Sequence, residues 1–398
     1  MNILFIGPVS RVEAAHAGYG NAAAGIASVL IQMERENRID NVYFYDTNSD
    51  LFDRPLSDKI DVSICVANPQ VFINNHPKGE QIKKVILLGE RRYLSIVWET
   101  TPIPDRWKDI FDGDLFTGIL SPSKFVAREI EGVLPRSVYY YPHFIDISKS
   151  TPINIDNKVK HEDVFTVLFV GQYTKRKSID EAIIAFTKAM YRCPNAQLIL
   201  KTHILGTPDM DINKLIKLHV NTNAPKMHAK IYNIMDTIDE SEMYDLYRQA
   251  SMLLFPSKGE GFGLPPAEAM GVGLPVAYTD WSSLPEVAQG PGNIAIDYKL
   301  DLVQGMDQYG YEVESMYAYP SIQDISTAIK LNYAAWSQDI QKYYEVTKGN
   351  RNIIDGRFGY DTVSRCLEHI INHEDGFAPT DIEDSLNLRC GSDIPHAK

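Results

Sequence analysis

Short apolar runs alternate with segments of helical period along most of this chain, and the alternation restarts after a break near its middle. The run "NILFIG" (2–7) gives way to "HAGYGN" (16–21) and the helical "AAAGIASVLIQME"; "VSICVA" (62–67), "VILLG" (85–89), "LSIVWE" and "FTGILSPS" read as further strands. Buried parallel strands appear as continuous apolar runs and their crossovers as amphipathic helices, so the pattern predicts a parallel sheet flanked by helices. Residues 141–164 are polar, carry prolines and lack a period, as a linker does. The series then resumes with "FTVLFVG" (165–171), "SIDEAIIAFTKAMYRC", "AQLILKTH", "AKIYNIMD", "DESEMYDLYRQA" and "SMLLFP". The expected architecture is α/β, with two Rossmann-like domains facing a cleft. Residues 1–148 form the first domain, 149–163 the linker and 164–356 the second. Within 357–398, the amphipathic "DTVSRCLEHIINH" is expected to cross back to the first domain ahead of an acidic tail. At 398 residues the chain can bury two separate cores. In such sheets ligands bind beyond the carboxyl ends of the strands.

Charge narrows the partners. The chain carries a formal −13, and residues 1–150 hold 16 basic and 19 acidic residues, so most of the excess falls in the remainder. A body this acidic repels bulk nucleic acid and anionic lipid, and the near-neutral first part is the better side for an anionic partner. Cys65, Cys193, Cys366 and Cys390 lie far apart without metal or disulfide spacing, as reduced thiols do. The N-terminus reads as a strand rather than a signal peptide, and no run reaches the ~18 apolar residues of a membrane span. A cytoplasmic location is expected.

The densest local signal is "SKGEGFGLPPAEAMGVGLPVA" (257–277). It follows a buried strand, and Pro265-Pro266 suits the first turn of a helix that stops near Gly271 or Gly273. Residues Gly261 to Leu264 form the crossing, where glycines let a ligand approach the backbone. Their amides and the helix N-terminus suit a phosphate. Glu260 falls on the loop and Glu268 in the first helical turn, so they cannot flank one bond as a glycosidase pair does. Each acid alone has a plainer explanation: the helix dipole favours a first-turn Glu by ~0.3–1 kcal/mol, and a loop Glu is ordinarily solvated.

The whole string closely resembles the signature of the retaining, nucleotide-sugar-dependent glycosyltransferases of family 4, which have the GT-B fold. Upstream, "IDESEMYDLYRQASMLLFPS" is similar to that family's approach to the loop. "LFVGQYTKRKSIDEAIIAF" resembles its Gly-Arg-Leu…Lys-Gly segment, and "SPSKFVAREI" its Pro-Ser-x-Phe segment. The resemblance implies that Glu268 grips the ribose hydroxyls. Glu260, with the amides of Phe262, Gly263 and Leu264, would address the donor sugar and distal phosphate. Lys177 matches the pyrophosphate lysine, but Gln172 stands where the family has arginine, so that clamp is missing or moved to Arg176. Cations that neutralise a departing nucleoside diphosphate are electrostatic catalysts.

Gly18 and Gly20 could admit the diphosphate or the acceptor, although a tight turn explains them equally well. In "VWETTPIPDRW" (97–107) the family often has histidine or aspartate; here Glu99 is the acceptor's general base, a donor-sugar ligand or an ordinary loop acid. His143 reads as structural, and Lys201 and His203 could line a nucleotide pocket. "DGD" (112–114) and "DMD" (209–211) read as polar turns, and no cluster has metal-site spacing.

The leading expectation is a metal-independent, retaining transferase with no cofactor beyond a nucleoside-diphosphate sugar. Its acceptor would be a glycan or small molecule, presented by the first domain. The alternative acceptor is a hydroxymethylated cytosine in DNA, flipped from the stack, with Lys83, Lys84, Arg91, Arg92, Lys124 and Arg128 as candidate contacts. A nucleotide-sugar epimerase and a non-catalytic nucleotide-sugar binder are further alternatives.

Overall fold

A computed structural model describes residues 1–8, 18–56, 59–73, 76–203, 211–304 and 312–372. The chain divides into two compact units. Among the described residues, one comprises those of Met1–Trp98, Ile103–Phe144 and 357–372; the other comprises those of Glu99–Pro102 and Ile145–Gly356.

In the first unit the order is β1 (Asn2–Gly7), α1 (Gly18–Arg35), β2 (Asn41–Asp46), β3 (Leu51–Phe52), β4 (Ile60–Val66), α2 (Pro77–Ile86), β5 (Gly89–Ser95), α3 (Lys108–Phe111), β6 (Gly118–Ser121), α4 (Lys124–Ile130) and β7 (Ser137–Tyr140). The sheet order is β3-β2-β1-β4-β5-β6-β7, with every pair parallel except β2–β3. Ile3, Phe5, Val62 and Ile64 bury one sheet face with Ile26, Val29 and Leu30 of α1.

The second unit holds α5 (Ile155–His161), β8 (Phe165–Val170), α6 (Ile179–Met190), β9 (Ala196–Lys201), α7 (Ile212–Asn223), β10 (Lys230–Ile234), α8 (Glu240–Gln249), β11 (Met252–Phe255), α9 (Leu264–Val272), β12 (Val276–Thr279), α10 (Leu284–Ala288), β13 (Ile294–Ile296), the antiparallel pair β14 (Tyr298–Leu302) and β15 (Met316–Pro320), α11 (Ile322–Gln338), α12 (Ile340–Thr347) and α13 (Asn350–Phe358). Its main sheet is all parallel in the order β10-β9-β8-β11-β12-β13. Each unit is therefore Rossmann-like. In the second, strand order reverses between β8 and β11, the switch point at which doubly wound sheets bind ligands.

Three expectations change. Val85 and Ile86 close α2 rather than open a strand, and β5 starts at Gly89. The linker residues 149–163 belong to the second unit and include α5, capped by Asn154. Lys158 of α5 is buried because Glu162 and the carbonyls of Gln249 and Ala250 take its ammonium. Residues 99–102, read as part of the first domain, group with the second unit. The last helix, α14 (Tyr360–Asn372), packs Val363, Leu367, Ile370 and Ile371 into the first unit's core, and Arg38 ties it down through Glu368 and Ser364. No described helix is long and apolar enough to cross a membrane.

Candidate active site

Two loops leave the switch point of the second unit. The first follows β8 and makes a 3-10 turn, Lys175–Lys177, before Ser178 turns left-handed (φ 59°) into α6. The second follows β11 and ends at Gly263, whose φ of 104° only glycine adopts readily. A Cβ there would also meet Leu284 at 2.9 Å.

The loops meet through charge. Lys177 Nζ lies 2.5 Å and Arg176 Nη1 3.0 Å from Glu260 Oε1, and the Ser257 hydroxyl donates to the same oxygen at 2.5 Å. Glu260 is only 7% exposed. Burial pulls its carboxyl upward, but the Lys177 and Arg176 charges outweigh that and hold it below the usual carboxylate range. Lys177 shifts downward, first because it is buried and then because Arg176 lies beside it, with Glu260 opposing. Two cations therefore share this carboxylate.

Glu99 joins this cluster, with Oε1 3.6 Å from Arg176 Nη2. Its backbone is held nearby: the Met316 amide donates to Thr101 O at 2.8 Å, and Gly259 packs so closely that a Cβ would come within 2.0 Å of Glu99 O. Arg176 also donates to Gly259 O at 2.7 Å. Its guanidinium thus ties Glu99, Gly259 and Glu260 together, at the turn where the sequence offered it in place of the clamp missing at Gln172. Lys258 pins the same turn, donating to Lys175 O at 2.8 Å and Glu181 at 2.7 Å.

Ser283 Oγ donates to the carbonyls of Glu260 (2.8 Å) and Phe262 (2.7 Å), fixing the loop by its oxygens. The Phe262 ring is buried, so only its backbone is offered to a ligand. Among the described residues the amides of Gly261, Gly263 and Leu264 donate to no protein acceptor. Unsatisfied amides at a helix N-terminus make an anion site.

Glu268 lies beyond the first turn of α9, which corrects its expected position and removes the helix dipole as its explanation. The Tyr247 hydroxyl donates to it at 2.8 Å. Burial pushes its carboxyl above the usual range, the Tyr247 bond opposes, and Glu240 adds to the rise.

The other candidates lie elsewhere. Gly18 and Gly20 belong to α1 in the first unit, and most of the preceding loop is outside the described residues. His143 is buried, which lowers its imidazole to about 4, consistent with a structural role. Lys201 ends β9 and is shifted down by burial, with Asp236 opposing; His203 O accepts from the Tyr173 amide. Asp211 caps α7, while Asp209 and Met210 lie outside the described residues. The described residues contain no cluster of metal-ligating side chains. Of the six cations considered for DNA, Arg92 is spent on the carbonyls of Gly89, Glu90, Asp114 and Leu115, Arg91 on Ile371 O, and Lys83 on Glu80.

Residues 164–306, which include both site loops, match the family model described as Glycosyl transferases group 1. A putative glycosyltransferase 41 of Sulfolobus islandicus filamentous virus is 35% identical over 261 residues, covering 65% of this chain and 62% of that protein. The putative glycosyltransferase ORF378 of Acidianus filamentous virus 2 is 34% identical over 119 residues, covering 30% and 28% respectively. The match thus spans less than two thirds of either relative. Among solved structures, Anabaena Alr3699/HepE in complex with UDP and glucose superposes with a TM-score of 0.60 at 12% identity, over 93% of this chain and 99% of that one. At that identity the likeness is one of fold, and the fold is GT-B.

Proposed function

We propose that the protein is a glycosyltransferase that moves a sugar from a nucleoside-diphosphate sugar to a hydroxyl acceptor with retention of configuration. The observation that carries the reading is the junction of Lys177 and Glu260 beside the unsatisfied amides of Gly261, Gly263 and Leu264. That junction offers a cation and backbone donors to a diphosphate, and a carboxylate to the hydroxyls of the sugar attached to it.

In this reading the amides and Lys177 take the distal phosphate. As the glycosidic oxygen departs, negative charge grows on that phosphate, and preorganised donors in a buried site stabilise it without reorganising. Lys177 supplies positive charge of the kind a metal ion would otherwise provide, so the reaction proceeds without one. The leaving phosphate itself takes the acceptor's proton, which keeps attack on the face it vacates and so retains configuration. Glu268, with Tyr247 fixing its orientation, accepts from the ribose hydroxyls. Glu99, paired with Arg176, accepts a hydrogen bond from the donor sugar.

The test incubates wild type and Lys177→Ala with a panel of UDP- and GDP-sugars in EDTA, following release of free nucleoside diphosphate. Wild type should release it and Lys177→Ala should fall by at least 100-fold. A wild type that neither binds nor consumes any nucleotide sugar refutes the reading.

A further inference from the structure

The same carboxylate that is expected to receive the sugar already serves the protein as a counter-ion. Lys177, Arg176 and Ser257 all converge on one oxygen, Glu260 Oε1, at 2.5, 3.0 and 2.5 Å. The second oxygen, Oε2, accepts from no side chain or amide among the described residues. Glu260 thus has one oxygen acting as counter-ion and one left over, in a position that is nearly dry.

A diphosphate arriving at Lys177 competes with this arrangement. It brings its own negative charge to the ammonium that neutralises Glu260, and a buried carboxylate beside a second anion is unfavourable unless new donors compensate it. Free nucleoside diphosphate brings no such donors. A nucleotide sugar does, because its hydroxyls follow directly on the distal phosphate and can donate to the carboxylate as the cations turn away. Hydrogen bonds to an ionised acceptor are about twice as strong as neutral ones.

Resting on the reading above, we infer that Glu260 is a specificity-determining residue that discriminates nucleotide sugar from free nucleoside diphosphate. As the resident counter-ion of Lys177 and Arg176, it yields those cations to a diphosphate readily only when a sugar accompanies it. The consequence is directional: the donor is retained, while the product, having lost its sugar, is expelled by the carboxylate that returns to Lys177.

The sign of the effect distinguishes this role from simple donor binding. Isothermal titration of wild type and Glu260→Gln with UDP, GDP, UDP-glucose and GDP-mannose gives the ratio of dissociation constants for each nucleoside diphosphate and its sugar derivative. Glu260→Gln should bind the free diphosphate at least 10-fold more tightly than wild type, and the sugar derivative no more tightly. In a Lys177→Met, Arg176→Met background the gain should vanish, since neither cation is left to be released. Should Glu260→Gln fail to fold, Glu260→Ala reads the same ratio. A Glu260→Gln variant that binds free diphosphate no better than wild type overturns the inference, as does an equal gain for both ligands. Wild type that binds none of the four ligands refutes the reading of the site itself, and this inference with it.

Discussion

Replacing Ser178 with glycine should stabilise the second unit, although it removes atoms from a buried position. Ser178 is left-handed, at φ 59° and ψ 39°, and fully buried, and its hydroxyl finds no hydrogen-bond partner. A left-handed conformation costs a non-glycine residue about 1–2 kcal/mol. The stranded hydroxyl adds about 1 kcal/mol, the low end for an unsatisfied buried polar group. Against this, glycine gives the unfolded chain more freedom, worth about 0.4–1 kcal/mol. The balance is roughly 1.5 kcal/mol in favour of glycine, or about 3–6 °C for a unit of this size. Scanning calorimetry of the whole chain is the assay, because a chain with two units can unfold in two steps and only one should move. Ser178→Ala separates the causes, since it relieves the hydroxyl and keeps the backbone cost. Glycine should therefore exceed alanine. If alanine stabilises as much as glycine, or glycine lowers the transition, the strain argument is wrong.

Gly259→Ala would place a methyl group 2.0 Å from Glu99 O and 3.0 Å from the Trp281 ring, so the two backbones must separate. Displacement of about 1 Å costs about 100-fold in rate, and turnover within twofold of wild type would show that the approach of Glu99 is dispensable. Glu162 is buried and accepts from Lys158, Ser251, Trp336 and Tyr344, so Glu162→Ala strands an ammonium and should cost about 3–5 kcal/mol in urea unfolding. A loss below 1 kcal/mol would contradict that. Glu268→Gln should raise stability at neutral pH while weakening nucleotide binding. The Glu268 carboxyl is shifted upward in the folded state, so its ionisation opposes folding, and this penalty fades as pH falls through the folded value toward the ordinary carboxylate value of about 4.3. Denaturation midpoints that differ equally at pH 7 and pH 4 would refute the assignment.

The site loop was legible because its requirements are local. Gly263 must turn left-handed, Pro265 and Pro266 must fall where a helix has no amide to lose, and both constraints are written in residue type. What the sequence hid depends on distant partners. Arg176 reads as a phosphate cation in a basic turn, yet its partners lie 77 residues before it and 83 and 84 residues after it, at Glu99, Gly259 and Glu260. Ser178 makes no cap bond at the start of α6 because it is left-handed, and Glu181 turns to Lys258 instead. The stretch before β8 looked like a linker because Lys158 and Glu162 are charged, and only their pairing shows why both can be buried. "VILLG" failed for a different reason: a five-residue apolar run fits a helix end as well as a strand, and the structure leaves Leu87 and Leu88 exposed.

The two acids of the loop, eight residues apart, are held in opposite electrostatic states. Cations keep Glu260 ionised below its ordinary range, while burial beside Tyr247 raises Glu268. Environments that push two like groups apart assign them different tasks. On the proposed reading the first sits where an anion arrives, between Lys177 and the unsatisfied amides of Gly261, Gly263 and Leu264. The second sits where an anion would be unwelcome and where neutral hydroxyls compensate the carboxylate. Inorganic pyrophosphate answers only the first demand and a nucleoside only the second. A ligand that answers both must carry phosphates near Glu260 and vicinal hydroxyls near Glu268. To leave Glu260 compensated once Lys177 turns to the phosphate, it needs further hydroxyls beyond the phosphates. On the proposed reading that order of groups is ribose, diphosphate, sugar, and titration calorimetry should therefore find both fragments at least 100-fold weaker than the intact nucleotide sugar. A fragment that binds within tenfold of the whole would mean that the two acids do not serve one ligand.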